Sequence, residues 1–169
     1  MPNWVESDVT IICSCNDSED LIEFVNGLKL SDDKEETSIL NSYFPTPDEL
    51  DISSPQYTNA DKDQARLNVA KYGFADWYGW NLSNWGTKWY DVGTITDNSQ
   101  MEEGYLFYSC NTPWNFPKNG MVEVSKKFPS LSFRVNYYEC GMEFCGAFEV
   151  KNGEILTDEK MKYFGKRGG

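Results

Sequence analysis

The residues best equipped for chemistry lie between Asp76 and Tyr90, where the chain reads DWYGWNLSNWGTKWY. Four of the six Trp residues fall between positions 77 and 89. Asn84, Thr87 and Lys88 place two hydrogen-bonding side chains and one cation around Trp85 and Trp89. Indole rings beside such groups can stack on a nucleobase or another planar ligand while Lys88 faces a phosphate. The same residues also suit an aromatic core in which Lys88 lays its stem over an indole and caps it. Taken as a ligand site, the group comprises Asn84, Trp85, Thr87, Lys88 and Trp89, with Trp114, Tyr138 and Phe144 contributed from later in the chain.

Catalytic alternatives are thinner. Glu139 and Glu143 flank a glycine turn and read either as paired acids or as two solvated turn carboxylates. Cys110 or Cys145 as a nucleophile would need an activating base, and the chain has no His. Asp8, Asp17, Glu19 and Asp20 match no EF-hand spacing, and helix capping accounts for the latter three. The five Cys residues form no CxxC pair, so free thiols are expected, with neither metal nor cofactor. A binding role is favoured over an enzyme, with catalytic residues unassigned.

Charge separates the chain into two parts. The net charge is −12, and residues 1–64 hold 15 Asp/Glu against three Lys/Arg, while the remainder is balanced. This excess opposes a general grip on nucleic acid, which needs clustered Lys/Arg, and suits docking to a basic partner. No window approaches a membrane span and no secretory leader is visible, so a cytoplasmic protein is expected.

The elements that must position these residues follow from periodicity. Val9, Ile11 and Cys13 predict a strand over 8–14. Leu21, Phe24, Val25 and Leu28 predict a helix over 18–26. Residues 31–64, with a polar run and prolines at 45, 47 and 55, read as an irregular, mobile acidic insertion packed across the surface. A helix follows over 61–72, with partial helix to about Trp80 and extended chain from Lys88. Strands at Ile95 and 105–110 precede a helix over 121–128, ended by Pro129. Alternation marks strands at 131–138 and 144–150, and Asn152-Gly153 signals a tight hairpin. The tail from Thr157 reads as a short helix that frays. One domain over 1–169 is expected, of α+β class: a ferredoxin-like antiparallel sheet with both main helices on one face.

Three blocks occur in order: Met1-Pro2-Asn3-Trp4, then Asn84-Trp85-Gly86-Thr87-Lys88-Trp89, then Tyr137-Tyr138-Glu139 with Phe144-Cys145-Gly146. Together they resemble the YubB ferredoxin-like domain family, small proteins of phages, plasmids and bacteria with no settled activity. Val5 and Glu6 depart from the Cys-Ser usual in that family's opening. The resemblance implies the fold and a mobile-element origin. With the aromatic cluster, it suggests counter-defence by sequestering a small anionic, nucleotide-like ligand. The alternative is an acidic inhibitor or nucleic-acid mimic that blocks a basic host protein. An enzyme acting on nucleotides or glycans is a third class.

Overall fold

The computed structural model describes residues 3–13, 19–30, 36–52, 59–97 and 99–167. Its elements in chain order are β1 (Trp4–Cys13), α1 (Glu19–Gly27), β2 (Lys29–Leu30), β3 (Thr37–Ser38), α2 (Ile39–Tyr43), α3 (Asn59–Tyr72), α4 (Trp77–Asn84) and β4 (Val92–Ile95). They continue with β5 (Tyr105–Pro113), α5 (Lys118–Lys127), β6 (Leu131–Glu139), β7 (Phe144–Lys151) and β8 (Glu154–Lys162).

Among the described residues the strands form one sheet in the order β2-β3-β4-β5-β1-β6-β7-β8. Its centre, β4-β5-β1-β6, flanked by α1 after β1 and α5 after β5, is the split βαβ pattern of a ferredoxin-like domain. β2 and β3 extend that centre at one edge and β7 and β8 at the other, and every pairing among the described residues is antiparallel.

Alternation gives the sheet two unlike faces. Val5, Ser7, Val9, Ile11 and Cys13 of β1 point inward, while Glu6, Asp8, Thr10 and Ile12 point the other way. Leu21 and Phe24 of α1 and Met121 and Val124 of α5 join the same apolar cluster as Phe133, Val135 and Tyr137 of β6. Both helices therefore pack on one face, as the sequence predicts. The ring of Phe24 meets Phe133 at 5.7 Å and Phe128 at 5.2 Å. On α5, a Cβ at Gly120 would lie 2.6 Å from Leu40 and 3.1 Å from the ring of Trp85. Glycine there lets α5 approach the segment that carries the Trp residues.

Two expectations need correction. Residues 36–52 and 59–64 are not an irregular strap: they contribute β3, α2, a 3-10 turn at Asp48–Leu50 and the start of α3. Ile39, Leu40 and Leu50 are fully buried. These few apolar side chains reach the common core, so the acidic composition around them does not decide the outcome. The buried Asn68 of α3 donates to the backbone oxygens of Glu49 at 2.7 Å and Ala75 at 3.0 Å, tying the helix down. Residues 31–35 and 53–58 of the expected insertion lie outside the described residues.

The second correction concerns the tail. Residues 154–162 form β8, paired along β7 from Lys151–Glu154 to Phe144–Lys162. The turn that starts it has positive φ at Asn152 (48°) and Gly153 (78°), the type I′ geometry that favours a two-residue hairpin. β8 is an edge strand exposed along nearly all of its length, so it carries no buried alternation to mark it in sequence, and a register shift lies opposite Glu149/Val150.

Beyond β8 the chain returns across the sheet's outer face. Arg167 donates to both carboxylate oxygens of Asp8 and reaches Glu6, with its guanidinium 4.9 Å from the centre of the Tyr138 ring. The Arg167 hydrogen bonds hold the Asp8 carboxyl below its ordinary value of 3.8, against partial burial and with help from Ser109. A depressed carboxyl contributes stability that is full above its unfolded pKa and fades as pH falls through the folded one. The contact is therefore expected to persist from neutral pH to below 3.8. The Arg167 Nη–H resonances, which report the bonds to Asp8, should shift only in that acid range when followed by NMR, and Asp8→Asn should shift them at neutral pH. A midpoint well above 3.8 would contradict the pairing.

Candidate functional site

The Trp-rich stretch folds as α4 and the turn after it. Asp76 caps the helix, its carboxylate accepting from Tyr78 N at 3.1 Å and Gly79 N at 3.2 Å. Gly86, at φ 87°, ends the helix in the left-handed conformation, with its N–H bonded to Asn81 O. The helix and turn divide the four Trp residues by role.

Trp80 and Trp85 go inward, meeting edge to face at 5.7 Å. Trp85 is 2% exposed, and its indole N–H donates to Phe44 O at 2.8 Å. Thr87 is also buried and its hydroxyl donates to Pro113 O at the end of β5. The Asn81 side chain donates to Lys88 O at 2.9 Å and accepts from the Thr46 hydroxyl at 2.6 Å. These bonds pin the turn and leave Lys88 and Trp89 pointing outward.

Outside, three chain segments converge. Trp4 opens β1, Trp114 follows β5, and Trp89 follows the turn; β1 and β5 are paired through Trp4 and Pro113. Trp114 has φ 70°, and its N–H donates to Asn3 O at 2.8 Å, which fixes it beside Trp4's strand. The rings of Trp4 and Trp89 lie 6.4 Å apart. The Lys88 ammonium is 4.3 Å from the Trp89 ring centre and 5.4 Å from that of Trp114. Trp4, Trp89 and Trp114 are 36%, 39% and 37% exposed, so each offers ring area to solvent. Among the described residues Lys88 makes no ion pair.

The structure thus keeps Lys88, Trp89 and Trp114 together, adds Trp4, and removes the other expected site residues. Trp85 and Thr87 belong to the core. Asn84 donates back to Trp80 O at 2.9 Å and borders a separate depression with Phe44 and Asn119. Tyr138 lies on the sheet's outer face under Arg167. Phe144 is buried against Tyr137, with the Lys160 ammonium 4.1 Å over its ring. The spread has a simple cause: those side chains sit on other faces or other strands, a matter of sheet order that residue types do not encode.

Next to this platform, and sharing Trp89 with it, is a cleft of about 430 Å³. Trp77, Trp89 and Tyr90 are its aromatic lining residues, with the edge of the buried Trp85 behind them, and Asp48 and Asp51 are its charged lining residues. Sequence reasoning misses the last two because their segment reads there as a strap. Trp4 is equally hidden, since it reaches Trp89 only through β1–β5 pairing.

The groups weighed for catalysis are engaged elsewhere. Burial, reinforced by the charge of Asp91, pushes the Cys110 thiol well above its ordinary value and disfavours the nucleophilic thiolate. Glu139 is buried, not solvated, and accepts from the backbone N–H groups of Gly141 and Met142, while Glu143 is exposed. The two do not form an acid pair, because one anchors the turn that the other projects from. Asp91, which sequence reasoning passes over, is buried and accepts four hydrogen bonds: Ser38 Oγ and Leu40 N on Oδ1, Ile39 N and Tyr108 OH on Oδ2. Burial and that carboxylate raise the Tyr108 hydroxyl far above its ordinary pKa. Cys110, Cys140 and Cys145 are free thiols, and Cys15 lies outside the described residues. No helix among the described residues is long and apolar enough to cross a membrane.

Residues 84–164 match the family model described as a ferredoxin-like domain in Api92-like protein. That stretch includes Lys88, Trp89 and Trp114 together with β4 through β8. The chain as a whole is similar in fold to the crystal structure of a protein api92 from Yersinia pseudotuberculosis. The TM-score is 0.51 at 10% identity, over 99% of this chain and 100% of that one. At such identity the likeness concerns the fold alone. No curated protein matches the chain. The ferredoxin-like fold implied by the sequence resemblance therefore holds, and the model that matches carries the Api92-like description.

Proposed function

We propose that this ferredoxin-like protein is a non-catalytic binding protein that captures a small planar anion, nucleotide-like in chemistry, on the surface formed by Trp4, Lys88, Trp89 and Trp114. One observation carries the reading. In a chain of net charge −12, the Lys88 ammonium lies against two half-exposed indoles and pairs with no described carboxylate. A planar ring stacking on an exposed indole gains about 1–3 kcal/mol, and the unpaired cation supplies an anion contact beside it. The surrounding acidity limits the ligand to one that is small, since a long polyanion would meet carboxylates beyond Lys88. Glu139 anchors its turn and Cys110 is buried in the core, which favours capture over turnover. The sequence resemblance to a family of phages and plasmids gives the proposal its setting: counter-defence by sequestration in a host cytoplasm.

Calorimetric titration with linear and cyclic nucleotides tests this. Lys88→Ala should leave the melting temperature unchanged while lowering affinity about tenfold and flattening its dependence on salt. The competing reading, an acidic surface that blocks a basic host protein, rests on the excess of carboxylates in residues 1–64. It predicts that Lys88→Ala is silent and that neutralising acidic residues abolishes activity. A wild-type protein that binds no nucleotide but forms a salt-sensitive complex with a basic protein would replace the capture reading.

A further inference from the structure

The cleft beside the platform has a chemistry opposite to that of Lys88, and we infer that it is a second site, for a small organic cation with an ammonium or guanidinium head group. Its aromatic lining residues are Trp77, Trp89 and Tyr90, with the edge of the buried Trp85 behind them, and its charged lining residues are Asp48 and Asp51. Aromatic faces attract a cation through their ring quadrupole, and a carboxylate at the rim adds direct charge complementarity. Its volume of about 430 Å³ falls in the range of small-molecule sites.

Three features separate this cleft from an ordinary acidic surface. First, neither Asp48 nor Asp51 is in an ion pair among the described residues, whereas their neighbour Glu49 is bound by Lys71 at 2.7 Å. Lys71, with Tyr72, holds the Glu49 carboxyl down to about 2. The local cation is thus spent on the carboxylate that lies outside the cleft. Second, the cleft's framework is fixed: Trp85 by its bond to Phe44 O, and Asn81 by Thr46 and Lys88 O. Third, Trp89, which lines the cleft, already holds the chain's own Lys88 ammonium at 4.3 Å, so its ring is a working cation acceptor. An anion entering the cleft would face two unpaired carboxylates, which keeps the two sites selective for opposite charge.

The test uses the full-length protein and tryptophan fluorescence, with choline and agmatine as probes. The neutral isostere 3,3-dimethylbutanol and adenosine monophosphate serve as controls. At least one cation should bind saturably, and at least tenfold more tightly than the neutral isostere. Asp48→Asn combined with Asp51→Asn should weaken that binding about tenfold and reduce its salt dependence, with an unchanged melting temperature because both side chains are exposed. Lys88→Ala should leave cation binding intact, which distinguishes failure here from failure of the anion-capture reading. Equal affinity for the neutral isostere, displacement of the cation by adenosine monophosphate in the Lys88→Ala protein, or no effect of the paired Asn substitutions would overturn the inference. So would the absence of binding by either cation.

Discussion

Trp85→Ala is expected to lower stability by about 3–5 kcal/mol, enough to leave a domain of ordinary stability partly unfolded. The side chain is 2% exposed and meets Trp80 edge to face at 5.7 Å. Its removal leaves a cavity beside Gly120 of α5, and a glycine has no side chain to fill it. The Phe44 carbonyl oxygen also loses its indole donor. Trp85→Phe separates the two losses: it keeps most of the packing and removes the hydrogen bond, which alone is worth about 1–3 kcal/mol when a buried group is left unpaired. Urea denaturation of the two variants measures the difference. A Trp85→Ala protein as stable as wild type would show that Trp85 is not a core residue.

Asp91→Ala should have an effect of similar size by a different route. The carboxylate receives the first two backbone N–H groups of α2, at 2.9 Å each, together with Ser38 Oγ at 3.0 Å and Tyr108 OH at 2.7 Å. Without it, three buried donors lose their acceptor at once, while the Tyr108 hydroxyl can turn to Thr37 O at 2.8 Å. Each unsatisfied group costs about 1–3 kcal/mol, and the losses do not add in full because water or a rotated hydroxyl relieves some of them. A total on the order of 3–5 kcal/mol follows, the usual penalty for dismantling a buried charged network. Hydrogen exchange gives the specific signature. The Ile39 and Leu40 amides should lose protection ahead of the strands β1 and β6, because α2 is anchored to the sheet through Asp91. Uniform loss of protection across the molecule would contradict this anchoring role.

Particular residues show why part of this fold is legible in sequence. In β6, Leu131, Phe133, Val135 and Tyr137 face one way without interruption, and the strand is where that alternation puts it. Leu21 and Phe24 mark the buried side of α1, and Asn152-Gly153 marks the last hairpin, because these signals are local. Those that fail depend on distant partners. Ile39, Leu40 and Leu50 are too few to reveal a packed segment until Gly120 and Asp91 are brought beside them. The strand β8 lacks a buried period because it forms the edge of the sheet and is exposed along nearly all of its length.

The candidate site is legible by composition and illegible by direction. Trp85 and Trp89 sit four residues apart, a spacing that on a continuous helix would place them on one side. Gly86 interrupts the helix between them, so one ring goes to the core and the other to solvent. Lys88 is expected from sequence beside Trp85 and Trp89; in the structure its ammonium lies near Trp89 and Trp114, while Trp85 is in the core. Trp4 joins them only because the sheet order sets β1 beside β5.

Trp89 belongs to a ligand surface rather than to the core if the proposed function is right, and calorimetric titration of Trp89→Ala beside wild type decides between the two. Trp89 is 39% exposed, so the variant should melt close to wild type. Loss of one stacking face should weaken nucleotide binding by about 1–3 kcal/mol, roughly one to two orders of magnitude in Kd. A variant that binds as tightly as wild type, or one that unfolds as Trp85→Ala does, would contradict the account.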